Sequence, residues 1–179
     1  MPVDETSINQ IGFGPISGIE LPAKWVEQPH QNNDTRSPRT IRKFHHPEDD
    51  RIQLCLYYRG LPVTAPTAES FANNLANEPG SIAQNILEAL QEVLGPLALQ
   101  DDFNIELAAV KMVNGRKVLA VEGHWPGLDL KSSNIFIDAK GDGAIIYEIY
   151  YAAPSDCFDQ HKETAEAAFA SIAWSETAF

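Results

Sequence analysis

The sequence is poor in cysteine. Two occur in 179 residues, Cys55 and Cys157, far apart in the chain. That excludes a disulfide framework, and paired-cysteine zinc spacings are absent. No run of about 18 or more apolar residues occurs, so no membrane-spanning helix is expected. Bases are scarce, with 13 Lys and Arg against 25 Asp and Glu and a formal net charge of −12. Such a chain is disfavoured on phosphate backbones and on anionic bilayers, so neither nucleic acid nor membrane is an expected partner. Met1-Pro2-Val3-Asp4-Glu5-Thr6 lacks the basic and apolar segments of a secretory signal, and no Gly follows Met1 for lipidation. The expected location is the cytoplasm. P-loop, Gly-x-Ser-x-Gly and His-Glu-x-x-His patterns are also missing, so no cofactor and no catalytic residue is assigned.

What is present is an ordinary apolar fraction of 44 %, enough for one domain with a real core. Residues 1–17 read as a tail or an edge segment, and 18–179 as a single domain. "GIELPAKW" (18–25) is a short strand stopped by Pro22, which cannot donate to a ladder. Residues 27–38 read as a polar loop. "RTIRKFH" (39–45) and "RIQLCLYY" (51–58) are strands. In the second, Ile52, Leu54, Leu56 and Tyr58 share one face and Gln53, Cys55 and Tyr57 the other.

Two helices are expected next, over 68–77 with Thr67 as cap and over 82–94. The second has Ser81 and Gln84 spaced as a capping box, one apolar stripe, and Gly95-Pro96 as a stop. Asn114-Gly115 between "FNIELAAVKMV" (103–113) and "RKVLAVEGHW" (116–125) is a two-residue hairpin turn. It sets Val110 opposite Leu119 and Ala108 opposite Val121. A second hairpin joins 132–139 to 144–152 through Lys140-Gly141-Asp142-Gly143. In its returning strand Ile145, Tyr147, Ile149 and Tyr151 share one face, and Ile146, Glu148 and Tyr150 the other. A helix over 156–174, capped by Ser155 or Asp156, closes the chain. Hairpin-linked strands make the class α+β, with a central antiparallel sheet flanked by helices.

Two stretches raise chemical questions. His45-His46-Pro47-Glu48-Asp49-Asp50 gathers histidines and acids, yet neighbouring strand residues point to opposite faces, and no zinc or EF-hand spacing is present. It reads as a solvated hairpin tip with no metal. "EGHWPGLDL" (122–130) places His124 and Trp125 at a strand end before a Pro-Gly turn, with Asp129 following. Aromatics anchor interfaces. Cys55 reads as a small buried hydrophobe, whereas Cys157 falls in a helical first turn, where the dipole lowers a thiol pKa.

"GIELPAKW", "NGRKVLAVEG" and "GDGAIIYEIYYAAPSDCFDQHKETAEAAFASIAW" together resemble the opening strand, central hairpin, last strand and terminal helix of the PsbP/Mog-like superfamily. Its members include photosystem extrinsic proteins and small type VI secretion chaperones. The resemblance covers about residues 18–174 of this chain. It implies an α/β/α sandwich, and binding or chaperoning rather than catalysis, but it transfers no functional residue, because a fold does not carry its site with it. The expected function is a non-enzymatic, accessory or chaperone-like protein-binding module in bacteria. The expected partner is another protein or a second copy, contacted through Tyr57, Tyr58, His124, Trp125 and Asp129. The alternative is a small-ligand or enzyme pocket near His45, His46, Trp125 and Asp129.

Overall fold

The computed structural model describes residues 9–29 and 40–176. In chain order the elements are β1 (Asn9–Phe13), β2 (Ile16–Leu21), β3 (Val26–Glu27), β4 (Thr40–His45), β5 (Gln53–Tyr58), α1 (Ala65–Ala76), β6 (Gly80–Ser81), α2 (Gln84–Ala89), α3 (Gln91–Leu94), β7 (Asn104–Val113), β8 (Arg116–Trp125), β9 (Leu130–Asp138), β10 (Ile146–Pro154), α4 (Phe158–Ala170) and β11 (Ala173–Trp174). Eight described strands form one antiparallel sheet in the order β3-β4-β5-β10-β9-β8-β7-β6, and three form a small sheet, β1-β2-β11. The class is α+β.

The strand alternation sorts side chains into two cores. Leu54, Leu56, Ile135, Ile137, Ile149 and Tyr151 face the small sheet and α4, whose Phe158, Ala165 and Phe169 are buried with them, as is Ile172 just beyond the helix. Leu119, Val121, Phe136 and Ile146 point the other way, toward Phe71 of α1 and Leu87, Leu90, Val93 and Leu94 of α2 and α3. The large sheet is thus the middle layer. Its central hairpin turns through Asn114 and Gly115, at φ 46° and 83°, and pairs Val110 with Leu119 and Ala108 with Val121. A two-residue turn at positive φ matches the strand twist, which makes that register local.

Several boundaries differ from expectation. The segment before residue 18 contains β1, an edge strand paired with β2, and the 17/18 division falls inside β2, whose Ile16 and Ile19 are buried in the first core. Residues 1–8 and 30–39 lie outside the described residues, which removes most of the polar loop at 27–38. Helix α1 starts three residues early, with Thr64 as its N-cap and a proline in its first turn, where a missing N–H costs nothing. Glu92 of α3 accepts from the Thr64 backbone N–H and hydroxyl. The capping box at Ser81 and Gln84 is not made. Gly80 and Ser81 instead pair with Val110 and Ala109 at the sheet edge, and the helix begins after Ala83 and breaks at Leu90, φ −104°. Helix α4 ends at Ala170 because Ala173 and Trp174 leave it to pair with β2. Its N-cap is Cys157, which makes no side-chain cap bond. Burial and the neighbouring Asp156 raise that thiol's pKa, the reverse of the dipole effect expected for it.

Candidate functional site

The five residues expected to bind a partner do not gather. Tyr58 stacks on Tyr147, with ring centroids 4.6 Å apart and planes at 14°, on the first-core face. Tyr57 lies on the opposite face, as a period of two requires. His124 and Trp125 diverge for the same reason. His124 Nδ1 lies 3.0 Å from Glu106 Oε1 and its Nε2 3.4 Å from Asn104 Nδ2, while Trp125 packs on Phe103 at 4.7 Å in the second core. Asp129 is exposed and left-handed, φ 51°, and its carbonyl accepts from the Ser155 N–H.

The pocket proposed for His45, His46, Trp125 and Asp129 does not assemble either. Strands β4 and β8 are separated by β5, β10 and β9, a span of about 19 Å at the usual strand spacing. His46 turns to the first-core side, 6.2 Å from Trp25 and 4.9 Å from His161. At the tip itself, Arg51 donates to both Asp49 carboxylate oxygens at 2.9 and 2.8 Å and, aided by its backbone N–H, holds Asp49 down to about 2. Among the described residues no group of three His, Cys, Asp or Glu side chains is placed to hold a metal ion.

The structure does build a groove, close to the His124–Trp125 strand end. It has a volume of about 560 Å³ and lies between α2–α3 and the N-terminal half of β7, within the usual range for ligand sites. Its floor is Leu87, Leu94, Leu97, Phe103 and Ile105, and its rim is Gln84, Glu88, Gln91, Gln100 and Asn104. Within α2 Gln84, Leu87 and Glu88 are three and four apart, and within α3 Gln91 and Leu94 are three apart, so each piece turns one side to the groove, with its leucine buried and its polar side chains exposed. Phe103 reaches the sheet because β8 has a glycine beneath it. A Cβ at Gly123 would collide with the Asn104 carbonyl oxygen and lie 2.7 Å from Phe103 Cζ. Outside β7, β6 contributes only two paired residues, with one further bond from Ile82 N–H to the Ala108 carbonyl. A β-bulge lies between Ile105 and Leu107, and Glu106 bonds His124 there, with Lys131 Nζ at 3.9 Å.

A second cluster sits on the same sheet face, over β5, β10 and β9. Asn134 Nδ2 donates to Glu148 Oε1 at 2.7 Å. Ser132 and Asn134 are 2 % and 3 % exposed, and Ser132 Oγ and Asn134 Oδ1 have no hydrogen-bond partner among the described residues. Burial pushes the Glu148 carboxyl up to about 7, against the Asn134 hydrogen bond, which favours the anion. It pushes the Cys55 thiol up to about 12 and raises Tyr150 as well. The Cys55 thiol and the Tyr150 phenol are therefore neutral near pH 7, with no thiolate to act as a nucleophile, while Glu148 changes charge in that range. Glu148 also borders a cavity of about 30 Å³ shared with Tyr57, Arg59 and Glu92, the scale of one water.

The sequence reading missed both places. The groove is lined by side-chain amides that form no motif. The cluster had a visible signal: Ser132, Asn134 and Glu148 are polar at positions whose strand neighbours on the same face, Phe136, Ile146 and Val121, are core.

An antiparallel sheet packed by α4 and a small sheet on one face, and by α1–α3 on the other, makes this a PsbP-like fold, as the sequence resemblance implied. The solution structure of cyanobacterial PsbP, CyanoP, from Synechocystis sp. PCC 6803 matches 93 % of this chain and 92 % of its own, with a TM-score of 0.53 at 10 % identity. A crystal structure of PA94, a Pseudomonas aeruginosa protein of unknown function, matches 86 % of this chain and 99 % of its own, with a TM-score of 0.47 at 13 % identity. The crystal structure of LpqN, involved in cell envelope biogenesis of Mycobacterium tuberculosis, matches 89 % and 86 %, with a TM-score of 0.39 at 14 % identity. No protein-family model matches the sequence, and no curated protein matches it. At these identities the likeness is one of fold.

Proposed function

We propose that this chain is a non-catalytic, accessory or chaperone-like binding module that takes another protein in the groove between α2–α3 and β7. The observation that carries the reading is the groove itself: it has ligand-site volume, an apolar floor and a rim that is mostly amides. Four amides, Gln84, Gln91, Gln100 and Asn104, offer donors and acceptors together, which suits peptide groups. The fold likeness to CyanoP is consistent with such a role, and the neutral thiols argue against covalent catalysis at Cys55 or Cys157.

Site-specific photocrosslinking in the source cells tests this. A crosslinker at Gln91 is expected to trap one protein partner, and a crosslinker at Lys111, on the opposite face of β7, to trap none. Equal labelling from both positions, or from Lys111 alone, overturns the groove as the binding site.

A further inference from the structure

We infer that the partner segment seated in this groove is basic, a lysine- or arginine-bearing stretch held by its side chains and peptide groups rather than as an added strand. The inference rests on the groove reading above. Its first support is the division of acids around the rim. Glu92 is held by Arg59 and Thr64, Glu106 by His124, and Glu122 by Lys162. Glu88, Asp101 and Asp102 are exposed, and they have no ion pair among the described residues. Glu88 stands on the rim, and Asp101 and Asp102 follow the rim residue Gln100 in the turn that leads into β7. Among the described residues no Lys, Arg or His lines the groove. One acid on the rim and two beside it, on a chain of net charge −12, attract cations and repel acidic segments.

The second support concerns how the segment sits. Strand addition needs a regular free edge. The bulge between Ile105 and Leu107 interrupts the β7–β8 ladder where the groove lies; a bulge bends and twists its strand, and is one way sheets block pairing at a free edge. Rim amides and acids are then what remains to hold the chain.

The test uses three dye-labelled peptides of equal length and equal apolar and amide content, charged only by Lys, only by Glu, or carrying Gln instead. Each is titrated with the full chain at low and high salt by fluorescence anisotropy, with amide shift mapping by NMR. The lysine peptide is expected to bind with shifts at Gln84, Gln91 and Asn104, and to weaken as salt rises. Replacing Glu88→Gln, Asp101→Asn and Asp102→Asn together is expected to weaken it roughly fivefold, since each exposed pair contributes little. If the glutamine peptide binds the groove as tightly as the lysine peptide, the basic assignment falls and the groove reading stands. If no peptide shifts the groove residues, both fall.

Discussion

The two faces of the large sheet are packed by different means. On the first, apolar side chains are continuous, and two of their polar handles reach backbone carbonyls. Tyr151 is stacked on Phe158 at 4.9 Å and donates its hydroxyl to the Phe158 carbonyl at 2.8 Å, and Trp174 donates its indole N–H to the Val113 carbonyl. On the second face the helices α1–α3 cover an apolar half over β7–β9, built around Phe71, Leu90 and Phe103. The other half keeps Cys55, Ser132, Asn134, Glu148 and Tyr150, with two buried polar atoms lacking partners among the described residues. Burying unpaired polar groups costs stability. One face is therefore built for stability, and the other gives some of it up around its polar groups and its open groove.

The sharpest way to break that contrast is to remove the anchor of the first face. Phe158→Ala deletes a ring that is 1 % exposed and stacked on Tyr151, and is expected to cost about 3–5 kcal/mol, read as a fall in the denaturant midpoint. A loss below about 1 kcal/mol would mean that this core tolerates cavities, and the contrast between the faces would be lost.

The next effect is on the second face, through pH. The unfolded Glu148 carboxyl titrates near 4.5 and the folded one at about 7. Between those values the unfolded state has released a proton that the folded state keeps, so stability falls as pH rises through this window. The loss amounts to about 3 kcal/mol at completion. Glu148→Gln keeps the hydrogen-bonding shape without the ionisation. Its stability is expected to lack this slope, so that the variant exceeds the parent above pH 7. Parallel pH dependences in the two proteins would show that Glu148 ionises freely in the fold.

What the sequence made legible and what it did not divide along the same physical line. The β7–β8 hairpin was readable in register, because Asn114-Gly115 admits only one kind of turn. The face assignments of β5 and β10 followed from a period of two. The helix expected over 82–94 was not readable as two pieces. Its expected cap, Ser81, is claimed by β7, a partner nearly thirty residues on in sequence. The end of α4 was hidden for the same reason, since Trp174 pairs with Ile16 from the other end of the chain. His124 and Trp125 close β8 but lie on its opposite faces. The groove depends on α2, α3 and β7 converging, and four amides carry no spacing that announces this.

A third prediction concerns the seam between the β9–β10 turn and α1. Gly143 sits at φ 75°, and a Cβ there would collide with the Ala68 carbonyl oxygen. Gly143→Ala combines a disfavoured backbone with a backbone clash, and is expected to cost about 1–3 kcal/mol, seen as a lower melting temperature. An unchanged melting temperature would mean that α1 shifts freely on the sheet, and the apolar half of the second face would then be softer than its packing implies.

The smallest expected effect on stability is the most informative about function. Gln84→Ala and Gln91→Ala remove exposed amides on the groove rim, and neither residue has a hydrogen bond elsewhere among the described side chains. Their joint effect on unfolding free energy is expected within about 0.5 kcal/mol, while partner capture at the groove is lost. A destabilisation well above that figure would make the amides part of the packing of α2–α3 on β7. In that case the groove would be a gap between elements, and the division of labour between the two faces would have to be drawn elsewhere. An unchanged stability with lost capture assigns the rim to binding, because side chains that do nothing for the fold have no other role for their removal to expose.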